Sequence, residues 1–153
     1  MDYTIQKAVE LGVTTIVPVF TERGAVQLKG DRLEKRLKHW QAIVTSACEQ
    51  CGRNRVPVVN TPTSFDAWIS RADKPALKLT LDPNANRTLQ SLGVGQQDRL
   101  LLTGPEGGLS PREIELSEEN GFTGIRLGPR VLRTETAALT ALSIIQNLYG
   151  DLG

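Results

Sequence analysis

Two glycine- and proline-containing segments in the last third of the chain have residue types that can wall a ligand pocket. The first, at residues 104–108, is Gly-Pro-Glu-Gly-Gly, and the second, at residues 127–130, is Leu-Gly-Pro-Arg. Each follows a short apolar run that is typical of a buried strand. A single glycine-rich turn is usually only a tight connection, but two of them after successive strands can enclose one ligand. We therefore take both segments as candidate binding loops.

The first loop lacks the residues that bind phosphate. A P-loop ends in Gly-Lys-Ser or Gly-Lys-Thr, whereas this loop has Glu106 and no lysine. The dinucleotide pattern G-x-G-x-x-G is absent from both loops. Because a carboxylate repels a polyphosphate unless a metal intervenes, a nucleoside-type ligand without phosphates fits better, and positive charge on it would help. S-adenosylmethionine, which combines an adenosine with a sulfonium, meets that description.

Residues that bind metals are few. Cys48 and Cys51 form a C-x-x-C pair, and His39 is the single histidine. A structural zinc site normally takes four ligands, so no metal site is expected. Both cysteines fall on the apolar face of a predicted helix, and we expect them to pack in the core. His39 is expected at the surface.

Arginines cluster in two places. Arg53 and Arg55 follow the end of a predicted helix, and Arg126, Arg130 and Arg133 lie within eight residues that contain no acid. One interpretation is a solvated basic face, since charge runs are usually solvated. The other is a patch that contacts phosphates beside the ligand pocket. The sequence leaves both interpretations open.

The composition is that of one globular domain. The chain has 153 residues, of which 39% are hydrophobic and 23% are charged, and that length supports a core without disulfides or metals. A net charge of +1 is low for a protein that holds nucleic acid by bulk charge alone. We find no apolar run as long as a membrane span and no signal-peptide pattern, so a cytoplasmic location is the default expectation.

The first half of the chain alternates between helical and strand patterns. Apolar residues recur every three or four positions at 3–11 and 32–51, which predicts two helices. Asp2 and Asp31 are expected to cap these helices, and Gly52 to end the second. Further predicted elements are a strand at 15–20 with a break at Pro18, a strand at 56–59, a short helix capped by Ser64 and a strand at 77–81.

The second half continues the alternation. Ser110 and Pro111 open a helix, and Glu113 completes a capping box. The order of strands and helices indicates an α/β fold with a mainly parallel sheet flanked by helices, in which ligands bind beyond the carboxyl ends of the strands. The other predicted elements are a loop with one helical turn at 82–98, strands at 99–103 and 123–127, and a last helix at 135–149.

Five segments of the chain resemble the RsmE family, bacterial methyltransferases of the SPOUT class that modify N3 of a uridine in 16S ribosomal RNA. The segments cover nearly the whole chain, and the last two contain both candidate loops. They are QKAVELGV at 6–13, TER at 21–23, ACEQCGRNRVP at 47–57, LLTGPEGGLSPREIE at 101–115 and LGPRVLRTETAALTAL at 127–142.

The resemblance implies a SPOUT methyltransferase domain over residues 1–153. Its C-terminal part would thread into a trefoil knot, a rare exception to the un-knotted rule. The resemblance also implies S-adenosylmethionine as the cofactor, a homodimer with each active site near the subunit interface, and 16S ribosomal RNA or the small ribosomal subunit as partner. It implies neither a membrane partner nor a metal.

Family members have a β-rich, PUA-like RNA-binding domain before the QKAVELGV segment. This chain begins only a few residues upstream of that segment. We therefore expect it to be the catalytic domain without the N-terminal RNA-binding domain, and to methylate ribosomal RNA poorly by itself.

The resemblance also assigns candidate site residues. N3 of uracil is a poor nucleophile until it loses its proton, so the site needs a base or cationic donors. Arg23, Arg53 and Arg133 are the candidate donors, and Glu135 and Glu106 are the acidic candidates. The expected cofactor contacts are Leu81, Thr103, Gly104, Pro105, Glu106, Gly107, Gly108, Leu127, Gly128, Val131, Leu132, Arg133, Thr136 and Ala137.

Two alternative functions remain open. One is a SPOUT enzyme that acts on another RNA position, such as a ribose 2′-hydroxyl of transfer RNA. The other is a non-catalytic RNA-binding assembly module that keeps the pocket. A nucleotide-binding protein that uses phosphates is disfavoured by Glu106 and by the missing P-loop lysine.

Overall fold

The computed structural model describes residues 1–24, 29–71, 77–92 and 98–153. Short parallel strands alternate with helices along the chain. The helices are α1 (Asp2–Glu10), α2 (Asp31–Cys51), α3 (Phe65–Ile69), α4 (Pro111–Glu119), α5 (Thr134–Tyr149) and a 3₁₀ turn at Leu89–Leu92. The strands are β1 (Thr15–Ile16), β2 (Val19–Phe20), β3 (Val58–Val59), β4 (Thr63–Ser64), β5 (Leu77–Leu81), β6 (Arg99–Leu102) and β7 (Phe122–Ile125).

The main sheet has three parallel strands in the order β6-β5-β7. Thr80 of β5 pairs with Leu102 on one side and with Gly124 on the other. The chain passes from β6 to β7 through α4 and crosses β5, because two parallel strands of one sheet need a crossover connection. The carboxyl ends of the three strands therefore lie at one edge of the sheet.

Helices cover both faces of this sheet. On one face, Leu79 and Ile125 are fully buried in a cluster with Ile145 of α5. On the other, Leu102 and Phe122 pack with side chains of α3 and α4. The predicted α/β fold with a parallel sheet flanked by helices is confirmed, whereas the trefoil knot stays a prediction.

Two smaller parallel pairs, β1-β3 and β2-β4, form the N-terminal part of the fold. Pro18 lies between β1 and β2, where the sequence predicted a break in one longer strand. Proline lacks the N–H that a strand ladder needs. The strand predicted at 56–59 is shorter in the structure, where β3 contains only Val58 and Val59.

The helix caps follow the sequence in most cases. The α4 capping box is complete, because Ser110 Oγ accepts a bond from Glu113 N at 3.1 Å and the Glu113 carboxylate accepts one from Ser110 N. Ser64 caps α3, and Gly52 ends α2 with a φ of 76°. Asp31, expected to cap α2, is instead its first residue, after Gly30.

Asp2 does not cap α1, contrary to the prediction. Met1 occupies the cap position, and the Asp2 carboxylate turns toward α2. There it accepts a hydrogen bond from Trp40 Nε1 at 3.1 Å and lies 2.7 Å from Nε2 of the exposed His39. The bond to His39 lowers the pKa of Asp2. Two donors from α2 thus replace the backbone donors that a cap would use.

The prediction that both cysteines pack in the core is wrong for one of them. Cys48 is 2% exposed, whereas Cys51 is exposed. Cys48 lies four residues after Val44, so it continues the buried stripe of α2. Cys51 lies in the last turn, next to Gly52. The helical turn predicted within 82–98 is confirmed at Leu89–Leu92, and residues 93–97 lie outside the described residues.

Arg53 joins the end of α2 to the end of α1. Its Nη1 donates to the carbonyls of Val9 at 2.8 Å and Val13 at 2.7 Å, and Nη2 reaches that of Gly12 at 3.5 Å. Carbonyls at a helix C-terminus lack intrahelical partners and form the negative end of the helix dipole. The guanidinium therefore stabilises the turn that follows α1. None of the helices in the described ranges is both long and apolar enough to cross a membrane.

We expect Arg53→Ala to lower the free energy of unfolding by about 2–3 kcal/mol, because it removes charge-assisted bonds to half-buried carbonyls. Urea denaturation measures this loss. Arg55→Ala is the matched control, since Arg55 is exposed at the same helix end. Equal losses for the two variants would contradict a capping role for Arg53.

Candidate functional site

A cavity of about 750 Å³ lies at the carboxyl edge of the main sheet. It is lined by the segments that follow β5, β6 and β7, and by the start of α5. Both candidate loops, at 104–108 and 127–130, contribute to it. The volume is in the range of pockets that bury a small organic ligand. Three loops from three strands thus converge on one site.

Most of the predicted site residues lie on this cavity. Arg23 reaches it from the segment after β2, although it is more than 80 residues away from the glycine loop in sequence. The other predicted residues that line it are Leu81, Thr103, Gly104, Pro105, Glu106, Gly107, Gly108, Leu127, Gly128, Val131, Leu132, Arg133, Glu135 and Ala137.

Two predicted residues lie elsewhere. The described lining of the cavity does not include Arg53 or Thr136. Arg53 binds the end of α1, and its role as a donor to RNA stays a prediction. Successive residues of a helix point about 100° apart, so Thr136 faces away from the side of α5 that carries Ala137. It lines a second, open groove between α1 and α5.

This second groove adjoins the cavity. It has a volume of about 390 Å³ and shares Glu135 with the larger site. Tyr3, which is 58% exposed, lies on its α1 side. The rest of its lining comes from α5: Thr136, Leu139, Thr140, Ser143 and Ile144.

The loop at 104–108 turns back on itself tightly. Gly108 N donates to the carbonyl of Pro105 at 2.8 Å, and Gly108 has a φ of 70°, which favours glycine. A Cβ on Gly104 would lie 2.9 Å from the backbone nitrogen of Leu109. Both glycines are therefore needed for the loop to close against its own end.

Arg23 holds the outer side of this loop. Its Nη1 donates to the carbonyls of Gly107 at 3.2 Å and Leu109 at 3.4 Å. A Cβ on Gly107 would lie 3.2 Å from Cβ of Arg23, which is closer than most such contacts. The absence of a side chain at residue 107 lets the two segments approach.

The cavity carries charges of both signs. Its arginines come from the segment after β2 and from the loop after β7: Arg23, Arg126, Arg130 and Arg133. Its carboxylates are Asp82, Glu106 and Glu135. Mixed charge suits a ligand with its own separated charges, and the arginines suit an anionic second substrate. Within the part of the chain that is described, no group of three or more His, Cys, Asp or Glu residues has a metal-site arrangement.

The first turn of α5 also faces the cavity. Thr134, Glu135 and Ala137 line it, and Arg133, at the cap position, makes no side-chain cap bond. The backbone N–H groups at a helix start lack intrahelical partners and form its positive end. A carboxylate group on a ligand would be bound favourably there.

Sequence reasoning missed the residues after β5. Asp82, Pro83 and Asn84 line the cavity, and Asn84 N donates to Asp82 Oδ1 at 2.9 Å. Asp82 N in turn donates to the carbonyl of Ile125 at 3.0 Å, which ties this segment to β7. The signal was their position directly after a predicted strand, at the edge where ligands bind. Leu109, Ile114 and Ile125 were also missed.

The chain is similar to known proteins over almost its whole length. The family described as RNA methyltransferase domain matches residues 1–146. A relative named ribosomal RNA small subunit methyltransferase E, from Buchnera aphidicola subsp. Schizaphis graminum, is 43% identical over 99% of this chain. A protein of the same name from Bacillus subtilis is 36% identical over 95% of it.

Solved structures agree with this. Ribosomal RNA small subunit methyltransferase E from Neisseria gonorrhoeae, bound to S-adenosyl methionine, matches with a TM-score of 0.91 and 42% identity over 100% of this chain and 62% of its own. A Legionella pneumophila structure in complex with the cofactor SAM matches with a TM-score of 0.94 and 45% identity over 99% of this chain and 62% of its own.

The chain spans 62% of the length of the Buchnera relative and 60% of the Bacillus relative. These relatives bear the name of the family that the sequence motifs resemble, so that resemblance is confirmed. The match over residues 1–146 extends from α1 to α5 and includes every segment that lines the cavity. The chain therefore belongs to the family of RNA methyltransferase domains.

Proposed function

We propose that this chain is the catalytic domain of an S-adenosylmethionine-dependent methyltransferase that modifies N3 of a uridine in 16S ribosomal RNA. The observation that carries the proposal is the convergence of both glycine loops and the start of α5 on one cavity. Two relatives that are 43% and 36% identical over 99% of this chain bear the name ribosomal RNA small subunit methyltransferase E. A cytoplasmic location follows, because bacterial ribosomes work in the cytoplasm.

The cavity has polar groups that match the charges of this cofactor. Two of its carboxylates, Asp82 and Glu106, suit the sulfonium and the amino group of the cofactor. The free N–H groups at the start of α5 suit its carboxylate. Because Gly104 has no Cβ, the loop at 104–108 can close against the backbone of Leu109. Its main-chain groups then suit a flat adenosine.

When bound, the cofactor supplies an electrophilic methyl group. This chain's residues then have to position the uridine and control the proton on N3. We assign Arg133 and Arg23 to stabilise the negative charge that develops on uracil as that proton leaves. Glu135 is the proposed proton acceptor. It is half-buried on the cavity wall, whereas Glu106 is exposed to water.

The domain assignment belongs to the same proposal. Residues 1–153 would form one SPOUT methyltransferase domain, with its C-terminal loops knotted around the cofactor. The net charge of +1 gives this chain little general attraction for RNA. We therefore infer that segments outside this region contribute much of the grip on the ribosomal RNA in the longer relatives.

We also propose that the groove between α1 and α5 forms a homodimer interface. Exposed apolar side chains lie at or near both helices, with Tyr3 58%, Met1 57% and Leu148 45% exposed. Apolar surface of this kind is favourable to bury against a second copy. Because Glu135 borders both the groove and the cavity, the second copy would lie beside the proposed site.

The first test is cofactor binding by this chain. Calorimetry is expected to detect S-adenosylmethionine binding, and Gly107→Val to weaken it about tenfold or more, because crowding of a packed site typically costs about 1–3 kcal/mol. Gly107→Ala should have a smaller effect, since its single Cβ meets Arg23 at 3.2 Å. Folding of each variant is checked by circular dichroism. No heat of binding at millimolar ligand would refute the proposed cofactor.

The second test separates the substrate role of Arg133 from cofactor binding. Arg133→Ala, in the full natural protein, is expected to lower kcat/KM for methylation of small ribosomal subunits by about 100-fold, as for loss of one charge-stabilising donor. Cofactor affinity should fall much less. Mass spectrometry of the nucleoside identifies the methylated position, and the exposed Arg71→Ala is the control. Loss of cofactor affinity alone would rule out the substrate role.

The third test concerns assembly. Sedimentation equilibrium is expected to give a dimer for the chain and a shift toward monomer for Tyr3→Asp, because a buried unpaired carboxylate opposes association. Val56→Asp is the matched control, since Val56 is 48% exposed and lies outside the groove. A monomeric parent chain, or equal effects of both variants, would argue against this interface.

A further inference from the structure

Glu113 has contacts beyond those of an ordinary helix cap. Its carboxylate is fully buried. Oε2 accepts the usual capping-box bond from Ser110 N at 2.9 Å. Oε1 accepts a second bond, also at 2.9 Å, from Glu22 N, which is 91 residues away in sequence. One carboxylate thus connects the start of α4 to the segment after β2.

The neighbouring contacts close a ring. The carbonyl of Leu109 accepts from Arg23 Nη1 at 3.4 Å, and the N–H of the same peptide unit, on Ser110, donates to Glu113. Arg23 follows Glu22 directly, and Glu22 N donates to Glu113. The peptide between residues 109 and 110 is therefore held from both sides, by the guanidinium at its oxygen and by the carboxylate at its nitrogen.

The glycine loop is attached to this ring. Arg23 Nη1 also donates a hydrogen bond to the carbonyl of Gly107 at 3.2 Å. The N–H of that peptide unit, on Gly108, donates to Pro105 at 2.8 Å. Two peptide units of the loop thus have fixed orientations, and Arg23 contacts both of them.

A surface ion pair supports the same junction but contributes little. Arg112 binds Glu22 Oε1 at 3.1 Å and Asp66 Oδ1 at 2.7 Å, and the bond to Asp66 raises the pKa of Arg112. All three side chains are about half exposed, so solvent screens their attraction. The buried carboxylate of Glu113 is therefore the stronger link, since charge-assisted bonds are strongest away from water.

We propose that Glu113 is a positioning residue for the cofactor site, which it serves by fixing Arg23 and the loop at 104–108 without lining the cavity itself. This inference rests on the proposed function. Loss of the carboxylate would leave the N–H of Glu22 and that of Ser110 competing for one acceptor. Arg23 would then lose its fixed backbone, and the loop carbonyls would lose their fixed donor.

The test is a double-mutant cycle on the affinity of this chain for S-adenosylmethionine, measured by calorimetry. Glu113→Gln keeps the size of the side chain but replaces one acceptor oxygen with a donor. We expect Glu113→Gln and Arg23→Ala each to weaken binding about tenfold, and the double variant little more than either, because coupled residues are not additive. About 100-fold weakening in the double variant, the product of independent effects, would overturn the proposal.

Two controls separate positioning from stability. Ser110→Ala removes the hydroxyl that caps Glu113 N but keeps the Ser110 N–H in the ring. We expect it to lower the melting temperature and to leave cofactor affinity unchanged. Glu115→Gln, on the exposed side of α4, should change neither quantity.

Equal loss of affinity in Ser110→Ala and Glu113→Gln would overturn the positioning role, since simple destabilisation would then explain both. Unchanged affinity in Glu113→Gln would overturn it as well. If the parent chain itself binds no S-adenosylmethionine, the proposed cofactor is refuted together with this inference. Binding by the parent chain with purely additive variants refutes the inference alone.

Discussion

The parallel pairing of β5 with β6 on one side and β7 on the other is the constraint on which the site depends. β5 is the middle strand, and its Leu79 is fully buried. Because the three strands are parallel, their carboxyl ends all lie at the same edge of the sheet. Crossover connections bring the chain back to the opposite edge before each new strand begins. The polar loops that leave that edge cannot enter the core without unpaired backbone groups, and they therefore enclose a cavity above it.

Much of this arrangement was predictable because it is local in sequence. The glycine loops, the capping box at Ser110 and the strand ends are marked by residue types at fixed spacings, and α/β topology then places the loops together. Long-range contacts were not predictable in this way. The bonds from Arg23 to Gly107 and from Glu22 to Glu113 join segments that no short motif relates. The family resemblance placed Arg23 at the site, but not the partners that hold it there.

The arginines show why residue type alone does not define a role. Arg53 and Arg133 both lie in segments that resemble the family, and both were expected to serve RNA. In the structure, the guanidinium of Arg53 donates hydrogen bonds to the carbonyls at the end of α1. Arg133 instead lies beside the cavity at the start of α5, where it makes no side-chain cap bond. A sequence pattern gives the charge, but the helix end that the charge faces depends on packing between distant helices.

Glu135 borders both the cavity and the groove between α1 and α5. If a second copy covers the groove, occupancy of the cavity and association of the chains share one wall. Thermodynamic linkage then requires reciprocity: a ligand that binds the associated form more tightly strengthens association by the same factor. Affinity for that ligand would then depend on protein concentration, and dilution that separates the two copies would weaken ligand binding.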